Sequence, residues 1–92
     1  MSSANLPISP AMSLLDLAFN QEASVSEVED VHPNDRVAQR LRELGFVPGE
    51  LVRVVAKGPI RADPLLVQVG FTRFALRRAE AARVRVLAQA RA

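Results

Sequence analysis

The feature that most constrains this chain is the stretch of residues 40–55, which joins a helix to a strand with no spare residues between them. Leu41 and Leu44 close an apolar helical stripe. Gly45 follows, where a helix end requires a positive φ that glycine adopts without a Cβ clash. Phe46 is then placed to pack back on Leu41. This order predicts a Schellman-type helix end.

A tight turn follows this helix end at once. In residues 47–50, Pro48 fixes its own φ and Gly49 supplies the positive φ that the third position of a type II turn needs. Strand alternation starts directly after the turn, with Val52 and Val54 on one face. The stretch therefore predicts a helix, a locked turn and a strand in immediate succession.

The remaining elements are read from capping residues and periodicity. Ser13, with Asp16 three residues on, predicts a short capped turn, and the change of phase between Val25 and Val28 predicts a bulge in the first strand. Asn34 is the predicted N-cap of the helix, with Asp35 complementing the helix dipole. The predicted strands are residues 22–30, 50–57, 65–69, 74–77 and 83–87; the predicted helices are residues 35–44 and one turn near 79–81.

These elements predict one small domain. Residues 1–12 are interpreted as a disordered N-terminal tail, residues 13–87 as the folded domain and residues 88–92 as a C-terminal tail. A loop is predicted between Lys57 and Pro64, because it contains a glycine and two prolines. Short strands and one or two short helices indicate a mainly β fold, which we expect to be a small closed β-barrel because closure removes the sheet edges.

Composition narrows the kind of protein. The chain has no cysteine, which excludes disulfides, thiolate metal sites and cysteine nucleophiles. Its only aromatic residues are four phenylalanines, so the core is expected to be built from valine, leucine and alanine. No signal peptide and no apolar run near the ~18 residues of a membrane span are evident. We therefore expect a cytoplasmic protein that does not insert into a membrane.

The charges are unevenly distributed along the chain. Residues 1–30 contain five acidic and no basic residues, whereas residues 31–92 contain five acidic and all 12 basic residues. Eleven of these 12 are arginine. A basic face for an acidic partner and an ordinary solvated surface both fit this pattern, and the second is favoured because the excess is modest.

Nothing in the sequence indicates catalysis. The chain has one histidine, no cysteine and no glycine-rich phosphate loop. Glu27, Glu29 and Asp30 cluster on a predicted strand end, where a solvated edge explains them better than acid–base chemistry. We expect a protein that is not an enzyme.

Two binding hypotheses remain open. His32 lies close in sequence to Asp30 and Asp35, and an imidazole with two carboxylates could hold Fe²⁺ or Zn²⁺, with a ligand from a second subunit completing the site. The alternative is a loop histidine before Pro33 and an Asp35 that complements the helix dipole. A nucleic-acid-binding barrel is the other hypothesis, resting on arginines of the last two strands; their alternative interpretation is outward strand positions: Arg73, Arg77, Arg78, Arg83 and Arg85.

Four segments, in this order, resemble the FeoA family. They are Leu-Arg-Glu-Leu-Gly-Phe-Val-Pro-Gly-Glu-Leu-Val-Arg-Val at 41–54, Asp-Pro-Leu-Leu-Val-Gln-Val-Gly at 63–70, Phe-Ala-Leu-Arg-Arg-Ala-Glu-Ala at 74–81, and Val-Arg-Val at 84–86. The resemblance covers about residues 13–87. The same domain is similar to the C-terminal module of metal-dependent DtxR-like repressors, without their DNA-binding part.

The resemblance implies an SH3-like barrel and a non-enzymatic accessory or regulatory protein of bacterial ferrous iron uptake. Its implied partner is the cytoplasmic GTPase-bearing part of the membrane transporter FeoB, with no nucleic acid partner and no required cofactor; a homodimer is left open. The helix and the loop at 58–64 are the expected contact surface. The positions that carry the family pattern are mainly structural: Leu44, Gly45, Pro48, Gly49, Asp63, Pro64, Leu76, Arg77, Glu80 and Ala81.

Overall fold

The computed structural model describes residues 12–88, as six strands and two α-helices. A 3₁₀ turn, Leu14–Asp16, follows the first strand. In chain order the elements are β1 Met12–Ser13, β2 Glu22–Val28, α1 Arg36–Leu44, β3 Leu51–Ile60, β4 Asp63–Val69, β5 Thr72–Leu76, α2 Arg78–Ala81 and β6 Val84–Ala88.

The six strands form one antiparallel sheet in the order β1-β6-β2-β3-β4-β5. The predicted mainly β fold with short helices is confirmed, but the sheet is not closed, so the prediction of a closed barrel is wrong in that respect. The sheet ends instead in two edges, β1 and β5. Helix α1 contacts β2 and α2, and α2 also contacts β4 and β5. Helices, and not further strand pairing, therefore cover part of the open sheet.

The core consists of the inward positions of the strands together with residues from both helices. As predicted, valine, leucine and alanine dominate it, and Phe46 is its single fully buried aromatic residue within the described chain. Val52 and Val54 are both buried, which confirms the predicted phase of β3. Burying side chains of this size is worth ~1.5–3 kcal/mol each before the entropy of ordering is counted.

The predicted end of α1 is confirmed. Gly45 has φ +118°, the N–H of Phe46 donates to the carbonyl of Leu41 at 3.1 Å, and the N–H of Gly45 donates to the carbonyl of Arg42 at 3.1 Å. These two bonds define a Schellman motif. The following turn is also confirmed, because Glu50 N–H donates to the carbonyl of Val47 and Gly49 has φ +94°. The helix end, the turn and the strand thus follow one another directly in the chain.

Two other local predictions are confirmed. Ser13 caps the 3₁₀ turn, since its hydroxyl accepts from Leu15 N–H and its own N–H donates to the Asp16 carboxylate. The register of β2 against β6 shifts between Val25 and Glu27, which is the predicted bulge.

The predicted N-cap of α1 is wrong by one residue. Asp35, and not Asn34, accepts from the N–H groups of Val37 and Ala38. Asn34 instead has φ +58° and forms part of the preceding turn. Both residue types cap helices well, so local sequence could not choose between them.

The predicted loop between Lys57 and Pro64 is a β-hairpin. Strand β3 continues to Ile60, and β4 starts at Asp63. Arg61 and Ala62 form the turn, both with positive φ as in a type I′ turn. The register shifts between Lys57 and Ile60, so a bulge accommodates the proline within the strand.

The remaining boundaries of the predicted elements differ by one or two residues from the prediction, and the short strand β1, Met12–Ser13, was not predicted. None of the helices in residues 12–88 is long and apolar enough to cross a membrane. The predicted tail at 1–12 falls almost wholly outside the described residues, and that at 88–92 lies outside them from residue 89 on.

Candidate functional site

The three candidate metal ligands lie near the start of α1, but Asp30 is paired away from the other two. His32 is exposed, and its Nε2 lies 3.9 Å from Oδ1 of Asp35. Asp30 pairs instead with Arg42 at 3.2 Å. Over residues 12–88 no group of three or more histidine or acidic side chains is arranged to hold a metal ion. A metal site at these residues therefore stays a prediction.

Asp35 has a structural role that the sequence did not reveal. Its side chain is fully buried, and Oδ2 accepts from Arg83 Nε at 2.8 Å and from Val31 N–H at 3.0 Å, while Oδ1 accepts from Val37 and Ala38 N–H. The hydrogen bond from Arg83, followed by that from Val31, holds the pKa of this carboxyl well below its ordinary value of 3.8. Both oxygens are occupied, so a metal bound at Asp35 would have to displace existing hydrogen bonds.

The five arginines of the nucleic-acid hypothesis do not share one role. Arg83 was predicted to point outward, but its side chain is 11% exposed and is paired with Asp35. Arg85 lies 4.0 Å from Glu29. Arg78 Nη1 donates to the carbonyl of Arg61 in the β3–β4 turn. Arg73 lies on the edge strand β5. The set is therefore spread over several local interactions.

The acidic part of the chain is partly neutralised by its basic part. Glu22 pairs with Arg53 at 3.2 Å, in the same way as Asp30 pairs with Arg42 and Glu29 approaches Arg85. In the folded chain, three acidic residues of the N-terminal part therefore lie beside arginines from later in the sequence. Basic residues outside these pairs carry the remaining positive charge.

A groove of about 470 Å³ separates α1 from β5. Four consecutive residues of β5, Arg73–Leu76, line it, so its wall is the open edge of the strand and not only one of its faces. The other wall is a single helical stripe with additional arginines: Arg36, Val37, Arg40, Leu41 and Leu44. This arrangement places an unpaired strand edge opposite an amphipathic helix.

The floor of the groove is apolar and well supported. Leu41 and Leu76 are buried, whereas Leu44 and Phe74 are half-buried. The Phe74 ring lies 6.0 Å from that of the buried Phe46, with the planes tilted by 53°. This aromatic contact fixes Phe74 and leaves part of the ring facing the groove.

The rim of the groove is basic. Arg36, Arg40 and Arg73 are exposed, and none of them forms an ion pair with a carboxylate within residues 12–88. Glu80 is the acidic residue that lines the groove, and its Oε1 already accepts from the N–H of Arg77 at 2.8 Å. The groove therefore combines an apolar floor with an excess of positive charge.

The residues that carry the family pattern fall into structural and groove positions. Leu44, Leu76 and Glu80 line the groove. Arg77 and Glu80 form the capping arrangement at the start of α2, and Ala81 is buried beneath it. The hairpin is fastened to α2 as well, because the carboxylate of Asp63 accepts from Arg78 N–H at 3.2 Å, and the following bond to Pro64 is cis.

Sequence reasoning described both walls of the groove but did not bring them together. In the sequence, Arg36 and Arg40 are four residues apart, so they lie one turn apart on the helix. Their proximity to Arg73 depends on α1 lying opposite the edge of β5, which no local pattern encodes. The one signal in the sequence that pointed to the basic rim of the groove was the position of these two arginines beside the apolar stripe of the helix.

The open antiparallel sheet with two short helices makes this a small, mainly β domain, of a fold that is described as SH3 in a related structure. Residues 12–88 match the model of the FeoA domain. The chain therefore belongs to the FeoA family, which is linked to ferrous iron transport.

Solved structures support this assignment. FeoA of Stenotrophomonas maltophilia is 63% identical, over 83% of this chain and 89% of that chain, with a TM-score of 0.77. It is described as an SH3 domain protein complexed with zinc, and as a candidate activating factor of ferrous iron transport. FeoA of Chlorobium tepidum is 32% identical, over 86% of this chain and 71% of that one, with a TM-score of 0.74.

More distant likenesses concern the fold alone. A manganese-dependent transcriptional repressor is 19% identical over 90% of this chain and 39% of its own, with a TM-score of 0.74. The similarity to a repressor module expected from the sequence is thus present at the level of the fold. A comparison with curated protein sequences finds no match.

Proposed function

We propose that this protein is a non-enzymatic accessory protein of bacterial ferrous iron uptake, which docks in the cytoplasm on the GTPase-bearing part of the transporter FeoB and modulates its activity. The observation that carries the proposal is the 63% identity to a FeoA described as a candidate transport activating factor. No cofactor is required for such a role. The transporter is the partner, and nucleic acid is not.

The groove between α1 and β5 is the surface best suited to docking. It combines exposed arginines with half-buried apolar side chains, which is the composition of a binding surface and not of a catalytic centre. The contact surface expected from the sequence comprises the helix and the segment 58–64, and the helix lines this groove. The hairpin at 58–64 becomes secondary because its backbone groups are largely engaged in β3–β4 pairing.

The function is tested by removing the protein from cells. Deletion of its gene is expected to lower uptake of ferrous iron, and expression of the wild-type protein is expected to restore it. A pull-down with the soluble domain of the transporter, with and without guanine nucleotide, tests the docking directly. Unchanged uptake after deletion would refute the accessory role.

A metal-bridged dimer is the second candidate function. It is supported by the zinc-bound relative and by the exposed His32 close to the carboxylate of Asp35. In this alternative His32 supplies an imidazole, Asp30 or Asp35 supplies oxygen, and a second copy completes the coordination of Zn²⁺ or Fe²⁺.

Calorimetric titration with zinc and iron(II) tests this alternative. We expect His32→Ala to weaken metal binding and to abolish any metal-dependent increase in mass measured by sedimentation. His32 is exposed, so the substitution should leave the fold intact. Equal metal affinities of the wild type and the His32→Ala variant would exclude this metal site.

A further inference from the structure

The edge strand β5 has backbone groups that the sheet does not use. A two-residue turn joins it to β4, and Thr72, Phe74 and Leu76 stand opposite Val69, Val67 and Leu65. In an antiparallel hairpin of this kind alternate residues form the hydrogen-bonded pairs. The N–H and C=O groups of Arg73 and Ala75 consequently point away from β4. Neither residue takes part in another backbone hydrogen bond within residues 12–88.

The groove follows this free edge. Its wall contains Arg73 and Ala75. Its floor contains the half-buried ring of Phe74 and the half-buried side chain of Leu44. The five residues of β5 span ~17 Å, the length of a typical strand. An extended segment lying in the groove could therefore form backbone hydrogen bonds with β5 and bury alternate side chains against the floor.

The charge of the rim selects the occupant. Arg36, Arg40 and Arg73 carry guanidinium groups with no carboxylate partner in the described part of the chain, so acidic side chains complement them. In a symmetric pair of copies of this chain, the arginines of one groove would face those of the other. A single-stranded nucleic acid would find one aromatic ring in the groove, that of Phe74, which is half-buried against Phe46.

We propose that the groove between α1 and β5 binds an extended acidic segment of a protein partner by adding it as a strand to β5. The backbone of the segment pairs with Arg73 and Ala75, its apolar side chains contact Phe74 and Leu44, and its carboxylates face Arg36 and Arg40. The inference rests on the proposed docking function and supplies the chemistry of the docked segment.

A synthetic peptide that alternates glutamate and valine tests the chemistry, with a peptide that alternates lysine and valine as its control. Titration of the ¹⁵N-labelled protein is expected to shift the amide signals of Arg73 and Ala75 with the acidic peptide only. Hydrogen exchange at these two amides should slow at least about tenfold, because they acquire acceptors. Unchanged exchange at β5, or tighter binding of a single-stranded oligonucleotide at the same residues, would overturn the proposal.

Two matched charge reversals test the site. Arg40→Glu changes the groove, whereas Arg61→Glu makes the same change at the exposed turn of the β3–β4 hairpin. We expect Arg40→Glu to weaken the acidic peptide about tenfold or more, and Arg61→Glu to weaken it less than about twofold. Thermal melts of both variants establish that they remain folded. Equal effects of the two reversals would contradict the assignment of the groove.

The soluble domain of the transporter separates this inference from the proposed function. If wild type binds that domain and Arg40→Glu binds it equally well, the groove is not the docking site and the inference fails while the function stands. If wild type binds the acidic peptide through β5 but does not bind the domain, the groove stands and the proposed partner fails.

Discussion

At the scale of single residues, backbone conformation decides several features of this domain. Gly45 has φ +118° and ψ 3°, beyond the range that ordinary left-handed residues occupy. Gly70, at φ +59°, lies within that range. A Cβ added to Gly45 would meet Val69 only at an ordinary contact distance of 3.6 Å. The requirement for glycine at this helix end therefore comes from φ and not from lack of space.

Gly45→Ala is expected to lower the free energy of unfolding by about 1 kcal/mol or more. Gly70→Ala is the matched control, because it has open space around it and a φ accessible to alanine at lower cost. Urea unfolding of both variants measures the difference. A smaller loss for Gly45→Ala than for Gly70→Ala would contradict the conformational explanation.

Gly58 is required for a different reason, namely space. A Cβ at this position would collide with the backbone carbonyl of Asp63 and with the nitrogen of Pro64 on the facing strand. Gly58→Ala should therefore destabilise the domain by ~1–3 kcal/mol, the usual cost of overpacking against atoms that cannot move aside. Lys57→Ala at the exposed neighbouring position is the control, and an equal urea midpoint for both variants would refute the argument.

At the scale of elements, one ion pair connects the start of α1 to the residue before β6. Asp35 caps the helix and binds Arg83, which is 48 residues away in the sequence. Because the pKa of Asp35 is lower in the folded than in the unfolded state, its contribution to stability is present above its ordinary pKa of 3.8 and is lost as the pH falls.

Asp35→Asn keeps the shape of the cap but removes the charge facing Arg83. The variant should melt at a lower temperature than wild type at about pH 7, and the difference should shrink as the pH falls below about 4. Circular dichroism melts across this range measure both curves. A difference in melting temperature that stayed constant in acid would show that the ionised carboxylate is not the stabilising form.

Elements also show where sequence reasoning succeeded and where it stopped. The Gly45 helix end, the Pro48-Gly49 turn and the Ser13 cap were predictable because their chemistry is complete within a few residues. The choice of Asp35 over Asn34 as the helix cap was not predictable, because Asp35 also binds Arg83, which lies 48 residues further along the chain. The hairpin at 58–64 was missed because a bulge allows glycine and proline inside a strand.

At the scale of the whole molecule, two sets of arginines have different surroundings. Those paired with Asp30, Glu22 and Glu29 lie largely at the surface, where such pairs contribute ~0–1 kcal/mol each. Those around the groove have no acidic partner among the described residues. This division, like the groove itself, could not be read from the sequence, because it depends on which strands become neighbours.

A higher salt concentration should therefore weaken binding of the acidic peptide more than it changes the stability of the fold. Raising the salt concentration to about 1 M is expected to change the melting temperature little, because the surface pairs are weak to begin with. The same change should strongly weaken binding of the acidic peptide, in which unpaired guanidiniums take part. Thermal melts and peptide titrations at low and high salt measure the two effects. If salt changed the melting temperature as strongly as it changed peptide binding, the distinction between paired and unpaired arginines would be contradicted.

The strand order has a consequence for the synthesis of the protein. Of the strands in residues 12–88, β6 is the last to leave the ribosome, yet it lies between β1 and β2 in the sheet. Until it arrives, the first strand has no neighbour in the sheet and the buried face of β2 is incomplete. A growing chain that ends before Val84 can form the β3–β4–β5 meander but not the whole sheet. The sheet described in residues 12–88 is thus completed only after translation has passed β6.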